Sequence, residues 1–164
     1  MHVMRRVFSA ALVALMVFTL SATAVTAQTD RPFWGWSSGV TTFYDNEKGC
    51  AAEVTTKTNL PAFTSHLGRA HLIMSHCPVG FSIENGDLAL VAANGDTLVG
   101  TYVGDVTASE DFSVFYATIA ITFTGGTGRF DDAQGWAVMD AVVPFGGDAP
   151  EWVWSATWSG RLTY

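Results

Sequence analysis

The chain has 164 residues, 49% of them hydrophobic, 13% aromatic and only 14% charged, with 16 Gly and two Cys. That apolar content excludes a disordered chain, the lack of a Gly-X-Y period excludes collagen, and the length suits one domain. Eight Lys and Arg stand against fifteen Asp and Glu, a net charge of −7; an acidic chain without a basic cluster is a poor partner for a phosphate backbone, which disfavours nucleic acid.

Residues 1–27 read as an export signal, 28–34 as a short lead-in and 35–164 as the folded domain. Arg5 and Arg6 form a positive start, residues 8–20 an uncharged and mostly apolar core, and Val25-Thr26-Ala27 a small-x-small cleavage site before Gln28. The apolar core is short for a membrane span of roughly 20 residues, and no stop-transfer charges follow it. No Cys stands just after the site to carry a lipid anchor. Arg5-Arg6-Val7-Phe8 partly matches a twin-arginine leader, and an Arg pair is common in ordinary leaders, so the export route stays open. The expected location is secreted or periplasmic after cleavage near Ala27. Removing 27 of 164 residues leaves 137, with six basic and fifteen acidic side chains. Both cysteines remain, and an oxidising compartment makes a Cys50–Cys77 disulfide the expected state. The alternative, two thiol metal ligands, lacks a second Cys pair, and the spacing of 27 fits no zinc motif.

The remainder alternates with period two, the signature of strands whose successive side chains point to opposite faces. Trp34, Trp36, Val40 and Tyr44 share a phase over 34–44. Further strands are expected over 51–58, 67–76, 81–84, 88–93, 97–105, 113–124 and 135–145. Over 113–124, Phe115, Ile119, Ile121 and Phe123 share one face, with Tyr116, Thr118, Thr122 and Thr124 on the other. The run 152–164 alternates most clearly, with Trp152, Trp154, Ala156, Trp158, Gly160, Leu162 and Tyr164 opposed to Val153, Ser155, Thr157, Ser159, Arg161 and Thr163. Asn85-Gly86-Asp87 and Asn94-Gly95-Asp96 read as hairpin turns around 88–93, because Asn-Gly accepts the positive φ of a type I′ turn. Gly100 and Gly104 leave room for bulky neighbours or a bend. No segment of the mature chain has a period of 3.6. Eight or nine closely spaced antiparallel strands predict an all-β fold, a closed barrel or a sandwich, with a final strand suited to closing a barrel.

Few residues combine into recognisable chemistry. Thr124-Gly125-Gly126-Thr127-Gly128-Arg129-Phe130 is neither a P-loop, lacking Gly-Lys-Ser/Thr, nor a dinucleotide fingerprint, since Asp131 stands where Gly is needed. It reads as a structural turn or bulge built on Gly125, Gly126 and Gly128, with Arg129 set to pair with Asp131 or Asp132. His66, His71 and His76 lie on one expected strand. His66 and His76 share a face about 33 Å apart and His71 faces away, so solvated or locally hydrogen-bonded histidines are favoured and no metal or other cofactor is indicated. Glu110-Asp111 and Asp131-Asp132 read as solvated loops, since nothing selects two carboxylates for glycosidase work. Asp140 is in phase with Trp136, Val138 and Val142. A carboxylate facing a barrel interior is costly unless paired and would be a functional candidate; the competing register puts it in solvent. Gly-x-Ser-x-Gly is absent.

Thr122-Phe123-Thr124-Gly125-Gly126-Thr127-Gly128-Arg129-Phe130, followed by Ala133-Gln134-Gly135, resembles the signature of allene oxide cyclase-like barrels, which include plant allene oxide cyclases, dirigent proteins and small secreted bacterial proteins. Ser65-His66-Leu67-Gly68-Arg69 and Ala92-Ala93-Asn94-Gly95-Asp96-Thr97-Leu98, with Gly100-Thr101-Tyr102, resemble the bacterial members. The resemblance spans roughly 35–164. It implies a single closed, eight-stranded antiparallel barrel of calycin type, an apolar interior and a tendency to form homotrimers. The plant enzymes fold a fatty-acid epoxide in such a cavity, but their pocket residues do not map one by one onto this chain, so the activity does not carry over.

Three functions compete. The first is a small apolar ligand held in the barrel, with the interior lined by Trp36, Leu98, Tyr102, Phe115, Ile119, Phe123, Trp154 and Trp158. The second is a cyclase-like or isomerase-like enzyme that steers an apolar substrate by conformation, with Asp140, Tyr102 or Glu84 as its polar group. The third is a small outer-membrane barrel; the short strands 81–84 and 88–93 speak against stable membrane insertion, since spanning needs roughly 9–11 residues. A scaffold role for the barrel is a further possibility.

Overall fold

The computed structural model describes residues 29–52, 54–144 and 152–164. The leader over 1–27 lies outside these residues, as do Gln28 and Phe145. Eight strands follow one another: β1 (Asp30–Asp45), β2 (Val54–Thr64), β3 (Gly68–Val79), β4 (Ser82–Ala92), β5 (Thr97–Ala108), β6 (Val114–Gly126), β7 (Gln134–Pro144) and β8 (Trp152–Thr163), with one 3₁₀ turn at Gly128–Phe130. Each pairs antiparallel with the next, and β8 returns to β1, so the sheet is a closed up-and-down barrel. The closing register runs from Asp30 opposite Thr163 to Thr41 opposite Trp152. Residues 30–34 are thus part of the sheet. Among the described residues no helix is long and apolar enough to cross a membrane.

The period-two pattern becomes an inside and an outside. Leu72, Leu90, Leu98, Ile121, Phe123, Met139 and Leu162 point inward and are fully buried. Phe33 packs edge-on against Phe123 at 4.9 Å between ring centroids and lies 6.2 Å from Trp158, whose Nε1 donates to the buried Ser37 hydroxyl at 3.2 Å. Aromatic pairs at such separations add to the stability gained from burial itself. These residues fill the half of the barrel next to the chain ends. Phe130, on the 3₁₀ turn, caps that half against Tyr164, with ring centroids 5.0 Å apart. The outer face is mixed, with Ser155, Thr157, Ser159, Asp87, Asp140 and Arg161 beside Trp34, Trp36 and Trp136.

Several sequence expectations are corrected. Trp36 faces outward, 51% exposed, because Phe33, Gly35 and Ser37 take the inward phase of β1. Asp140 follows Trp136 and Val142 onto the outer face, where its carboxylate accepts from the Thr118 hydroxyl at 3.1 Å. Glu84 is exposed as well. Asn85-Gly86-Asp87 is not a hairpin turn. It lies inside β4, where the register with β5 shifts between Ile83 and Gly86 and Asn85 takes φ 49°, so 81–84 and 88–93 belong to one strand. The objection to a membrane barrel from short strands disappears with it. Asn94-Gly95 does turn the chain, with Gly95 at φ 90° and Ala92 and Asp96 hydrogen-bonded across the corner. Gly100 marks a bend beside the register shift of β5 against β6, since a Cβ there would lie 2.4 Å from the Thr122 carbonyl oxygen. The Gly125–Phe130 segment forms the β6–β7 corner. Arg129 reaches beyond its own turn, donating to the His66 carbonyl at 2.6 Å and facing Asp96 at 3.7 Å.

Cys50 and Cys77 form a disulfide that ties the β1–β2 connection to β3. The Asn46 side chain braces the same connection by donating to the Cys50 carbonyl at 2.8 Å. Closing a loop of this length contributes about 3–4 kcal/mol on the chain-entropy model. The Cys50→Ser/Cys77→Ser double variant should therefore lose stability of that order in urea titrations. An unchanged midpoint would show that the crosslink does not constrain the unfolded chain.

Candidate functional site

Among the described residues, the half of the barrel away from the chain ends is not filled. It holds a cavity of about 360 Å³, within the range of small-ligand sites. Met74, Ile119 and Met139 line its inner part, on the side of the packed core. His76, Ala117 and Ala141 lie nearer the open end on the same three strands, and Thr56, Thr58, Pro78, Ile83, Tyr102, Val106, Phe115, Val143 and Trp154 are also part of the wall. Ala117 and Ala141 stand opposite one another on β6 and β7, and their small side chains leave space that larger ones would fill. Phe81 and Phe112 stand at the rim, 56% and 57% exposed.

Phe112 has φ 56°, an unfavourable conformation for a bulky side chain. Its loop is held by Asp111, which accepts from the hydroxyls of Ser109 and Ser113, each at 2.7 Å, and from the Ser113 amide at 3.0 Å. Those hydrogen bonds hold the Asp111 carboxyl down at about 2. Asp111 is thus a turn-former, in keeping with the solvated-loop reading of Glu110-Asp111.

Besides Thr58 and Ser82, a polar cluster interrupts the apolar wall. His76 Nδ1 and the Tyr102 hydroxyl are hydrogen-bonded at 2.9 Å, with their rings edge to face. Alternation along β3 turns His76 inward in the phase of Leu72 and Met74, beside the β3–β4 register shift between Ser75 and Cys77. Across the barrel wall, Gly86 lies opposite Tyr102, and a Cβ there would sit 2.5 Å from the tyrosine ring. The Asn85-Gly86 bulge therefore makes the space that Tyr102 occupies. Opposite His76 on β2 is Thr56, whose buried hydroxyl has no hydrogen-bond partner.

The pair is electrically neutral near pH 7. Burial, reinforced by the Lys48 ammonium, lowers His76 to about 4. Burial, reinforced by the Asp87 carboxylate, pushes the Tyr102 phenol above its ordinary range. Lys48 itself is ion-paired with Asp87, and among the described residues none of the side chains lining the cavity is Lys or Arg.

Of the residues expected to line an interior site, Tyr102, Phe115, Ile119 and Trp154 line the cavity. Leu98, Phe123 and Trp158 are buried in the packed half, and Trp36 is outside. Among the polar candidates only Tyr102 reaches the site; Asp140 and Glu84 do not. His76 and Thr56 were not anticipated there, although His76 shares the parity of Ala70, Leu72 and Met74 on β3 and could have been placed inside on that signal. His66 sits in the β2–β3 turn, with Nε2 against the Pro32 carbonyl and Nδ1 against the Tyr164 hydroxyl, and His71 faces outward. No group of three or more His, Cys, Asp or Glu able to hold a metal ion occurs among the described residues.

Comparison with known proteins finds no matching family model, no matching curated protein and no matching solved structure.

Two outcomes follow from this geometry. Folded His76 takes up a proton only near pH 4, whereas the unfolded chain does so near 6.5. Between those values the unfolded state holds more protons, so stability falls as pH drops through that window, by at most about 3 kcal/mol. Urea titrations from pH 7 to 4 should show this loss in the native chain and a smaller one in His76→Gln; parallel pH profiles would refute it. Asp111 acts only below this window. Second, Gly86→Ala should destabilise by about 1–3 kcal/mol through overpacking against Tyr102, and much less in a Tyr102→Ala background. An equal loss in both backgrounds would place the strain elsewhere.

Proposed function

We propose that the barrel binds one small, predominantly apolar ligand in the cavity lined by Tyr102, Phe115, Ile119, Met139, Ala141 and Trp154. The observation that carries this reading is the division of the interior: one half is packed solid with side chains, and the other is left as a 360 Å³ apolar space behind a rim of exposed phenylalanines. A core selected only for stability would fill that volume, since voids forfeit dispersion contacts. Removal from water of an apolar molecule fitting the space supplies the affinity.

The polar pair favours holding over catalysing. General acid–base groups work best with pKa values near the operating pH, whereas burial moves His76 and Tyr102 in opposite directions away from neutrality. A cyclase-like or isomerase-like reaction steered by shape alone is the alternative, and Tyr102 is the one polar residue proposed from sequence that is available to it. The face pattern speaks against an outer-membrane barrel, whose interior is polar and whose belt is continuously apolar. Here the apolar face is interior, while Thr118, Asp140, Thr157 and Ser159 lie across the outer surface. The disulfide supports an exported protein, extracellular or periplasmic. The likeness to allene oxide cyclase-like barrels is part of the same proposal, supported by the closed eight-stranded fold and the glycine corner; the trimer remains an expectation of that likeness.

Naphthalene, an uncharged ten-carbon probe, tests the reading. It should bind with about one-to-one stoichiometry and raise the melting temperature, as any ligand of the native state does. Ala117→Leu/Ala141→Leu, which narrows the cavity, should weaken binding at least about tenfold. No stoichiometric binding, or equal binding by the narrowed variant, would exclude the cavity as the site.

A further inference from the structure

Resting on the reading of the cavity as a ligand site, we infer that its ligand is an uncharged apolar molecule carrying one oxygen, as in an alcohol, ether or ketone, and that this oxygen is seated between Thr56, His76 and Tyr102. Thr56 is 4% exposed and lines the cavity, and its buried hydroxyl has no hydrogen-bond partner. Buried polar groups are almost always hydrogen-bonded, so an unpaired hydroxyl on a residue that lines the cavity marks a place where a ligand atom completes the set. His76 stands directly across the β2–β3 pair from Thr56, where side chains of paired strands lie within reach of a common atom.

The hydrogen count of the His76–Tyr102 pair supports the same conclusion. If the tyrosine donates to Nδ1, the imidazole keeps its Nε2–H; if Nδ1–H donates to the tyrosine oxygen, the phenolic hydrogen remains. Either arrangement leaves one donor unused, and the threonine hydroxyl can donate or accept. A ligand oxygen accepting these donors fits both states.

A charged headgroup does not fit. Among the described lining side chains there is no Lys or Arg, and the nearby Lys48 is already engaged by Asp87. A carboxylate would give up its hydration for neutral donors alone, which is unfavourable in an apolar site.

Competition against naphthalene at pH 7.5 with 1-octanol, octane and octanoate separates the possibilities. Octane leaves water more readily than octanol, so a purely greasy cavity would prefer octane. The expected result is octanol bound at least about tenfold more tightly than either of the others. Thr56→Val should abolish most of the octanol-over-octane preference while leaving naphthalene binding intact and folding stability equal or higher, because the substitution removes an unpaired buried hydroxyl. Octane or octanoate matching octanol, octanol failing to displace bound naphthalene, or an unchanged preference in Thr56→Val, would each overturn the proposal while leaving the cavity reading standing. Failure of naphthalene itself to bind would overturn both.

Discussion

The pairing of β8 with β1 is the constraint on which the rest of the structure depends. An open sheet of this composition would leave one face of apolar side chains in water and two unpaired edges. Closure removes both problems at once: the twelve-residue register from Asp30 opposite Thr163 to Thr41 opposite Trp152 satisfies the edge backbone groups, and the inward phase of all eight strands converges on one axis. Phe33 and Trp158 come from the two strands of this seam and meet in the packed half. The Arg161–Asp30 ion pair at its outer end is solvent-exposed and contributes little beside that burial.

Closure also explains why the interior is divided. A barrel of eight strands has space for a column of side chains and little more. Where that column is built from Phe33, Phe123, Phe130, Leu72 and Leu162 it is solid. Towards the other end the inward positions include Thr58, Ala117 and Ala141, and the strands themselves cannot move inward to take up the difference. The cavity follows from side-chain size at a few positions on a frame of fixed circumference. The inward phase of β3 brings His76 to the wall of that space, the ladder irregularity at Ile83–Gly86 makes room there for Tyr102, and the disulfide at Cys77 anchors the strand one residue beyond His76.

The strands were legible because alternation is a local property, and the runs over 113–124 and 152–164 state it plainly. Which face lies inside was legible only where one face is apolar and the other is not. In β1 both phases are ambiguous: Trp34 and Trp36 oppose Phe33, Gly35 and Ser37, and the smaller set is inside because Phe63 and Thr64 of β2 and Trp158 of β8 crowd that wall. The same ambiguity hid Asp140, whose apolar companions Trp136 and Val142 are themselves exposed. Asn85-Gly86 carries the composition of a hairpin turn, and what separates it from Asn94-Gly95 is not composition. It is the long-range requirement that Tyr102, sixteen residues away, lie over a position without a Cβ. The His76–Tyr102 contact was out of reach for the same reason, since its partners are joined through a strand between them.

A neutral histidine in an apolar wall is an expensive choice if packing is the only requirement, because a Leu or Met at the same position would bury as much surface and carry no polar atom to satisfy. The structure meets that requirement only in part: Tyr102 engages one ring nitrogen, and Thr56 across the strand pair is left unpaired. A network satisfied throughout would be a structural feature, rigid and complete in itself. Here the unpaired hydroxyl belongs to a residue that lines the apolar cavity, and on the proposed reading it is the position of that incompleteness, more than the presence of polar residues, that distinguishes a binding site from a core with a histidine in it.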